Sequence, residues 1–111
     1  METENVDNCP LRRSLHALGG KWSLIIIKVI GKHELRFNEV KKGIPDISEK
    51  VLIDKLKVLV ATGIVFRKNY NEVPPRVSYR LTERGQEALK IVVTLESFGE
   101  RLPIERHATS Q

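Results

Sequence analysis

The chain has 111 residues, which at roughly 100–200 residues per domain is the length of one domain. Hydrophobic residues make up 41% and charged residues 30%, a balance that excludes a disordered chain, and no unbroken apolar run exceeds four residues, far short of the ~18 that a membrane span needs. The net charge is +5, and a single cysteine, Cys9, excludes an internal disulfide and a multi-thiolate metal site.

Pro10 suits the first position of a helix, with Cys9 as its N-cap. Leu11, Leu15 and Leu18 then share one face, and Gly19-Gly20 stops the helix. A second helix is predicted over 21–30. It is apolar on all sides, so it belongs at the centre of a core or also faces a partner. Leu35-Arg36 reads as a short extended piece, and 37–42 as a short helix with Phe37 and Val40 inward. Residues 43–47 form a turn, and Ser48 caps the next helix, which ends near Thr62-Gly63. Leu52, Leu56 and Leu59 lie on one face of that helix, and Lys50, Ile53, Asp54 and Lys57 on the other. Two stretches of strand alternation, 64–70 and 77–81, flank a loop stiffened by Pro74-Pro75. Thr82 caps a last helix running to about Leu102, ahead of Pro103.

The expected organisation is a flexible arm over 1–8, a domain over 9–102 and a frayed tail over 103–111. The fold class is mainly α (α+β): a winged helix-turn-helix with a short two- to three-stranded sheet and a C-terminal dimerisation helix. The start of the chain, Met1-Glu2-Thr3-Glu4-Asn5, has neither a basic nor an apolar leader region, so the expected compartment is the cytoplasm.

The charge is unevenly spread. Residues 9–82 carry 15 basic against 6 acidic side chains, while both ends are slightly acidic. Such a basic middle suits a nucleic-acid partner, because Lys and Arg displace counterions from phosphates. The second helix of the pair is the part that enters a DNA major groove. Its base-facing candidates are Ser48, Glu49, Lys50, Ile53 and Asp54, with Lys57 a turn further along toward the backbone. Arg76, after the stiff loop, is the candidate for the minor groove. Arg36, Lys41 and Lys42 surround the shorter helix and are candidates for phosphate contacts.

On the last helix, Ala88, Ile91, Val92, Leu95, Phe98 and Leu102 form an apolar stripe that Leu89 and Val93 widen beyond what a helix needs to cover its own core. The expectation is a homodimer whose interface takes in Leu89, Val93, Leu95, Phe98, Leu11 and Leu15, presenting two recognition helices to an inverted-repeat site.

Taken together, Cys9-Pro10, Leu18-Gly19-Gly20-Lys21-Trp22, Arg36-Phe37-Asn38-Glu39, Ile44-Pro45-Asp46-Ile47-Ser48, Leu52 with Leu56, Gly63, Glu72-Val73-Pro74-Pro75-Arg76-Val77 and Thr82-Glu83 with Gly85 resemble the HxlR-type winged-helix transcriptional regulators, grouped near the MarR-like proteins. The resemblance covers about residues 9–99. It implies a homodimeric regulator of promoters, dimerised through terminal helices, with the helix from Ser48 and the wing around Arg76 on DNA. Ile53, Val58 and Asp54 depart from the usual pattern and leave the operator sequence open. Cys9 has an argument of its own, since a helix N-terminus with Arg12 and Arg13 one turn away favours a thiolate. Some relatives of this type sense quinones, aldehydes or oxidants with a cysteine at this position, so Cys9 is a redox-sensing candidate.

An enzyme is not expected. Gly19-Gly20-Lys21 lacks the spacing of a phosphate loop, Trp22 stands where a magnesium-binding hydroxyl is required, and His16, His33 and His107 are not at metal-ligand spacing. No cofactor and no membrane partner is expected, and no set of residues identifies a small-molecule effector. The competing reading is a winged helix that docks proteins without binding DNA.

Overall fold

The structure, a computed structural model, describes residues 8–104. Apart from Asn8, Pro103 and Ile104, the expected arm and tail lie outside the described residues.

Helix α1 spans Pro10–Leu18 with proline in its first turn and Cys9 at the N-cap in extended conformation (φ −93°, ψ 113°). The Cys9 side chain makes no capping hydrogen bond, and no residue of α1 is buried. Helix α2 is Ser23–Ile30, starting two residues later than the hydrophobic pattern suggests because Trp22 takes the N-cap position. Ile26, Ile27 and Ile30 are fully buried, whereas Ile25 keeps 39% of its surface exposed, so the helix is covered on most sides but not all. Strand β1 (Leu35–Arg36) leads directly into helix α3, Phe37–Gly43. The Arg36 N–H donates to the Glu39 carboxylate at 2.7 Å, which satisfies one of the orphan donors of that helix end.

The turn between α3 and α4 is anchored by two buried side chains, Ile44 and Ile47, and closed by the Ile47 N–H donating to the Ile44 carbonyl at 3.1 Å. Helix α4 is Glu49–Ala61; the Ser48 hydroxyl accepts from the Val51 N–H at 3.1 Å, as a serine N-cap should. It ends at Gly63, whose φ of +78° is the left-handed conformation that closes a helix without a Cβ clash.

Strands β2 (Val65–Asn69) and β3 (Val77–Leu81) pair antiparallel, and β1 adds to β3, giving a three-stranded sheet in the order β1-β3-β2. The register sets Val65 opposite Leu81, Phe66 opposite Arg80, Lys68 opposite Ser78 and Arg36 opposite Ser78. The alternation expected over 64–70 is not seen in the burial of β2. Ile64 and Val65 are buried, but 66–69 are all exposed, because the hairpin runs off the end of the core.

Helix α5, Glu83–Glu100, starts from a polar joint. The Thr82 hydroxyl accepts from the Gly85 N–H at 3.0 Å and donates to the Gly63 carbonyl at 2.5 Å. Gly85 is required by close approach, since a Cβ there would lie 2.2 Å from the Ile64 carbonyl oxygen. Of the apolar stripe of α5, only Ala88 and Val92 are buried, and Ile91, Leu95, Phe98 and Leu102 remain exposed. After Val92 no side chain of α5 is buried, although Leu95 and Glu96 still line a groove with Leu24, Ile25, Lys28 and Val29 of α2. The core is a single cluster, with α2 at its centre and α3, α4, the sheet and the start of α5 around it. A short helix, a tight turn, a longer helix and a two-stranded wing make this a winged helix-turn-helix.

Candidate nucleic-acid interface

Leu52, Leu56 and Leu59 hold α4 against the core, which turns Glu49, Lys50, Ile53, Asp54 and Lys57 outward. All five are exposed, and Ser48 is exposed at the N-terminus of the same helix. Its hydroxyl is engaged as an acceptor by the cap and retains a hydrogen to donate. The Lys50 ammonium pairs with the Asp54 carboxylate at 3.2 Å. Lys57 makes no ion pair among the described residues and is free to meet an anion. Ile53 is 40% exposed on this face, an apolar spot among charges.

Arg76 sits differently from a bare loop arginine. Its guanidinium lies over the Tyr70 ring, 3.7 Å from the centroid, and its Nη2 donates to Glu72 at 3.1 Å. The wing cation is therefore held against Tyr70 and Glu72 at the start of the hairpin loop. Tyr70 also carries the Lys68 ammonium at 4.6 Å, and Arg80 lies over the Phe66 ring at 4.6 Å. Cation–π pairs of this kind hold the charge over the aromatic face and leave it available to an anion.

Arg36 lies on the same sheet face, since it pairs with Ser78 in register. Arg36 and Arg76 line one shallow polar pocket with Glu34, Glu39, Tyr70 and Ser78. Lys42 is exposed and Lys41 half-buried in the last turn of α3. The structure thus brings Arg36 and Arg76 together and keeps Lys41 and Lys42 apart, at the far end of α3. Sequence reasoning missed Lys68 and Arg80 on this face and Arg67 on the opposite one. The strand alternation, combined with the pairing of Phe66 and Arg80, was the signal that could have found the first two.

Glu34 lies within this basic sheet face and its carboxyl is perturbed. It lies below the ordinary carboxylate value, first because the Ser78 hydroxyl donates to it, then because Tyr70 does, with Lys68 and Arg80 adding attraction and desolvation opposing.

Large apolar side chains are also exposed on α1 and on the second half of α5. Leu11 and Leu15 on α1, and Val93, Leu95 and Phe98 on α5, are between 46% and 67% exposed. Leu89 differs from the other residues expected at a subunit contact: it is half-buried and packs on its own core. Lys28 and Glu96 form an ion pair that ties α2 to α5. Among the described residues, no cluster of His, Cys, Asp or Glu could hold a metal, and no helix is long and apolar enough to cross a membrane.

Residues 17–106 match the model of the HxlR-like helix-turn-helix family. The chain is 38% identical over 96 residues to the uncharacterized HTH-type transcriptional regulator YybR of Bacillus subtilis strain 168, covering 86% of this chain and 77% of that one. Among solved structures, one assigned as a transcriptional regulator of the MarR family from Porphyromonas gingivalis W83 is 45% identical, with a TM-score of 0.79 over 86% of this chain and 93% of the other. The redox regulator HypR in its oxidized form is 37% identical, with a TM-score of 0.80 over 87% of this chain and 100% of the other. With the family model spanning most of its length and the same winged fold in its relatives, the chain belongs to the HxlR-like helix-turn-helix family.

Proposed function

We propose that the chain is a transcriptional regulator that binds double-stranded DNA as a homodimer on an inverted-repeat operator. The observation that carries this reading is the outward face of α4, where Glu49, Lys50, Ile53, Asp54 and Lys57 stand exposed beside a wing rich in cations. In this reading Lys50 donates to guanine O6 and N7, Ile53 packs on a thymine methyl, and Glu49 or Asp54 accepts from cytosine N4. Lys57, Arg36, Lys41 and Lys42 meet phosphates, and Arg76 enters the minor groove after leaving Glu72. The second copy covers the exposed apolar residues of α1 and α5. Its contact centres on Leu11, Leu15, Val93, Leu95 and Phe98, with Leu89 at its edge.

The Cys9 thiol is proposed as the regulatory element. It is free and half-buried at the N-terminus of α1, next to the apolar residues assigned to the subunit contact. A similar protein, HypR, is named a redox regulator. A chemical change at Cys9 would therefore reach the dimer geometry and, through it, the spacing of the two recognition helices.

Selection of bound duplexes from a random pool, with reduced and with diamide-treated protein, tests both claims. The expected result is a palindromic motif for the reduced protein and an altered affinity after oxidation that Cys9→Ser abolishes. Retention of no duplex even at low salt would favour protein docking by the same helix.

A further inference from the structure

The basic face of the sheet contains an acid, Glu34, whose charge would repel a bound polyanion. Arg36, Lys68, Arg76 and Arg80 surround Glu34, and one oxygen of its carboxylate accepts hydrogen bonds from both the Tyr70 and the Ser78 hydroxyls. Ser78 is only 5% exposed, so this is a built contact and not a surface encounter. Tyr70 in turn closes the hairpin, its N–H donating to the Arg76 carbonyl at 2.9 Å, and its ring carries the Arg76 guanidinium at 3.7 Å. The Arg76 Nε is buried without a hydrogen-bond partner. Stacking on Tyr70 and the bond to Glu72 are therefore what orient the guanidinium.

We propose that Glu34 is a positioning residue for the wing: by holding the Tyr70 hydroxyl it fixes the ring on which Arg76 lies, and so sets where the wing cation meets a duplex. The proposal rests on the DNA-binding reading above and adds a residue that touches no nucleic acid. It also inverts an electrostatic expectation. Removing a carboxylate from a basic face should tighten binding to a polyanion, whereas loss of a positioning contact weakens it.

The test combines two readouts on the full chain, Glu34→Ala, Tyr70→Phe, Arg76→Ala and the Glu34→Ala/Arg76→Ala double variant. By NMR, the Arg76 side-chain resonances are expected to carry a ring-current shift that relaxes in Glu34→Ala. Tyr70→Phe, which keeps the ring and loses the hydroxyl, is expected to show a partial relaxation. In fluorescence anisotropy with a selected duplex, Glu34→Ala is expected to weaken binding about fivefold, with less than about twofold change in the Arg76→Ala background. The salt slope is expected to fall by about one in Glu34→Ala and in Arg76→Ala. Unchanged Arg76 resonances in Glu34→Ala, tighter binding by that variant, or an equal loss in both backgrounds would overturn the proposal. Relaxed resonances in a protein that binds no duplex would support the coupling of Glu34 to Arg76 and overturn the DNA-binding reading, so the two failures are told apart.

Discussion

Lys50 and Asp54 lie one turn apart on the outward face of α4 with their charged groups 3.2 Å from each other. Both are well exposed, and the lysine precedes the acid, the less favourable order along a helix, so the pair contributes only a few tenths of a kcal/mol. Its main consequence lies elsewhere. The residue best suited to donate to guanine is neutralised in the free protein by a group that repels phosphate. Asp54→Asn is expected to tighten binding to mixed-sequence duplexes roughly threefold to tenfold at low salt. Stability should change by less than about 0.5 kcal/mol. Anisotropy titrations and a thermal melt check the two halves.

Thr82 joins three parts of the fold through one hydroxyl, accepting from Gly85 and donating to Gly63. Thr82→Ala removes an N-cap and leaves the Gly63 carbonyl without that donor. The expected loss is about 1–2 kcal/mol in a urea melt. Thr82→Ser keeps the hydroxyl and should recover most of it. Equal losses in the two variants would mean that the methyl group, not the hydroxyl, supports the joint.

Glu34 gives the protein an acid-dependent component of stability. Its folded value lies below the ordinary 4.5, chiefly because the Ser78 hydroxyl and then the Tyr70 hydroxyl donate to the charged form. A lowered carboxyl contributes stability that is fully present above the unfolded value and is lost as pH falls through the folded one. The difference in Tm between the wild type and Glu34→Gln should therefore be constant well above pH 4.5 and shrink on acidification below it. A gap that stays constant on acidification would mean that the contact does not depend on charge.

The apolar ends of α1 and α5 predict the oligomeric state. Leu11 is 67% exposed, Val93 59% and Phe98 53%, more apolar surface than a terminal helix pair leaves uncovered without a partner. Val93→Asp with Phe98→Asp is expected to yield a folded monomer by sedimentation equilibrium, while Phe98→Leu leaves the dimer. Those positions make few contacts with their own core, so the melting temperature of the monomer should stay close to that of the wild type at high dilution.

Most of the element boundaries were legible because their signals are local. Pro10, Ser48, Gly63 and Thr82 each act within one turn of the residues they cap or stop, and the structure uses all four in those roles. The outward set on α4 followed from the period of Leu52, Leu56 and Leu59 alone. Register decided what stayed hidden. The surroundings of Arg76 depend on Tyr70 and on Glu34, which lies 36 residues away from that tyrosine, and nothing local joins them. The point at which α5 leaves the core was not legible for a related reason. The helical period says which residues share a face, but where the helix leaves the core depends on how far α2 extends beside it.

The central claim is that two copies of this chain bind one duplex through α4 and the wing. The most direct measurement is a stoichiometric titration of a selected duplex, repeated over a range of salt concentrations. The account predicts two chains per duplex and a log–log salt slope steeper than about −4. One chain per duplex, or binding that does not change with salt, would contradict it.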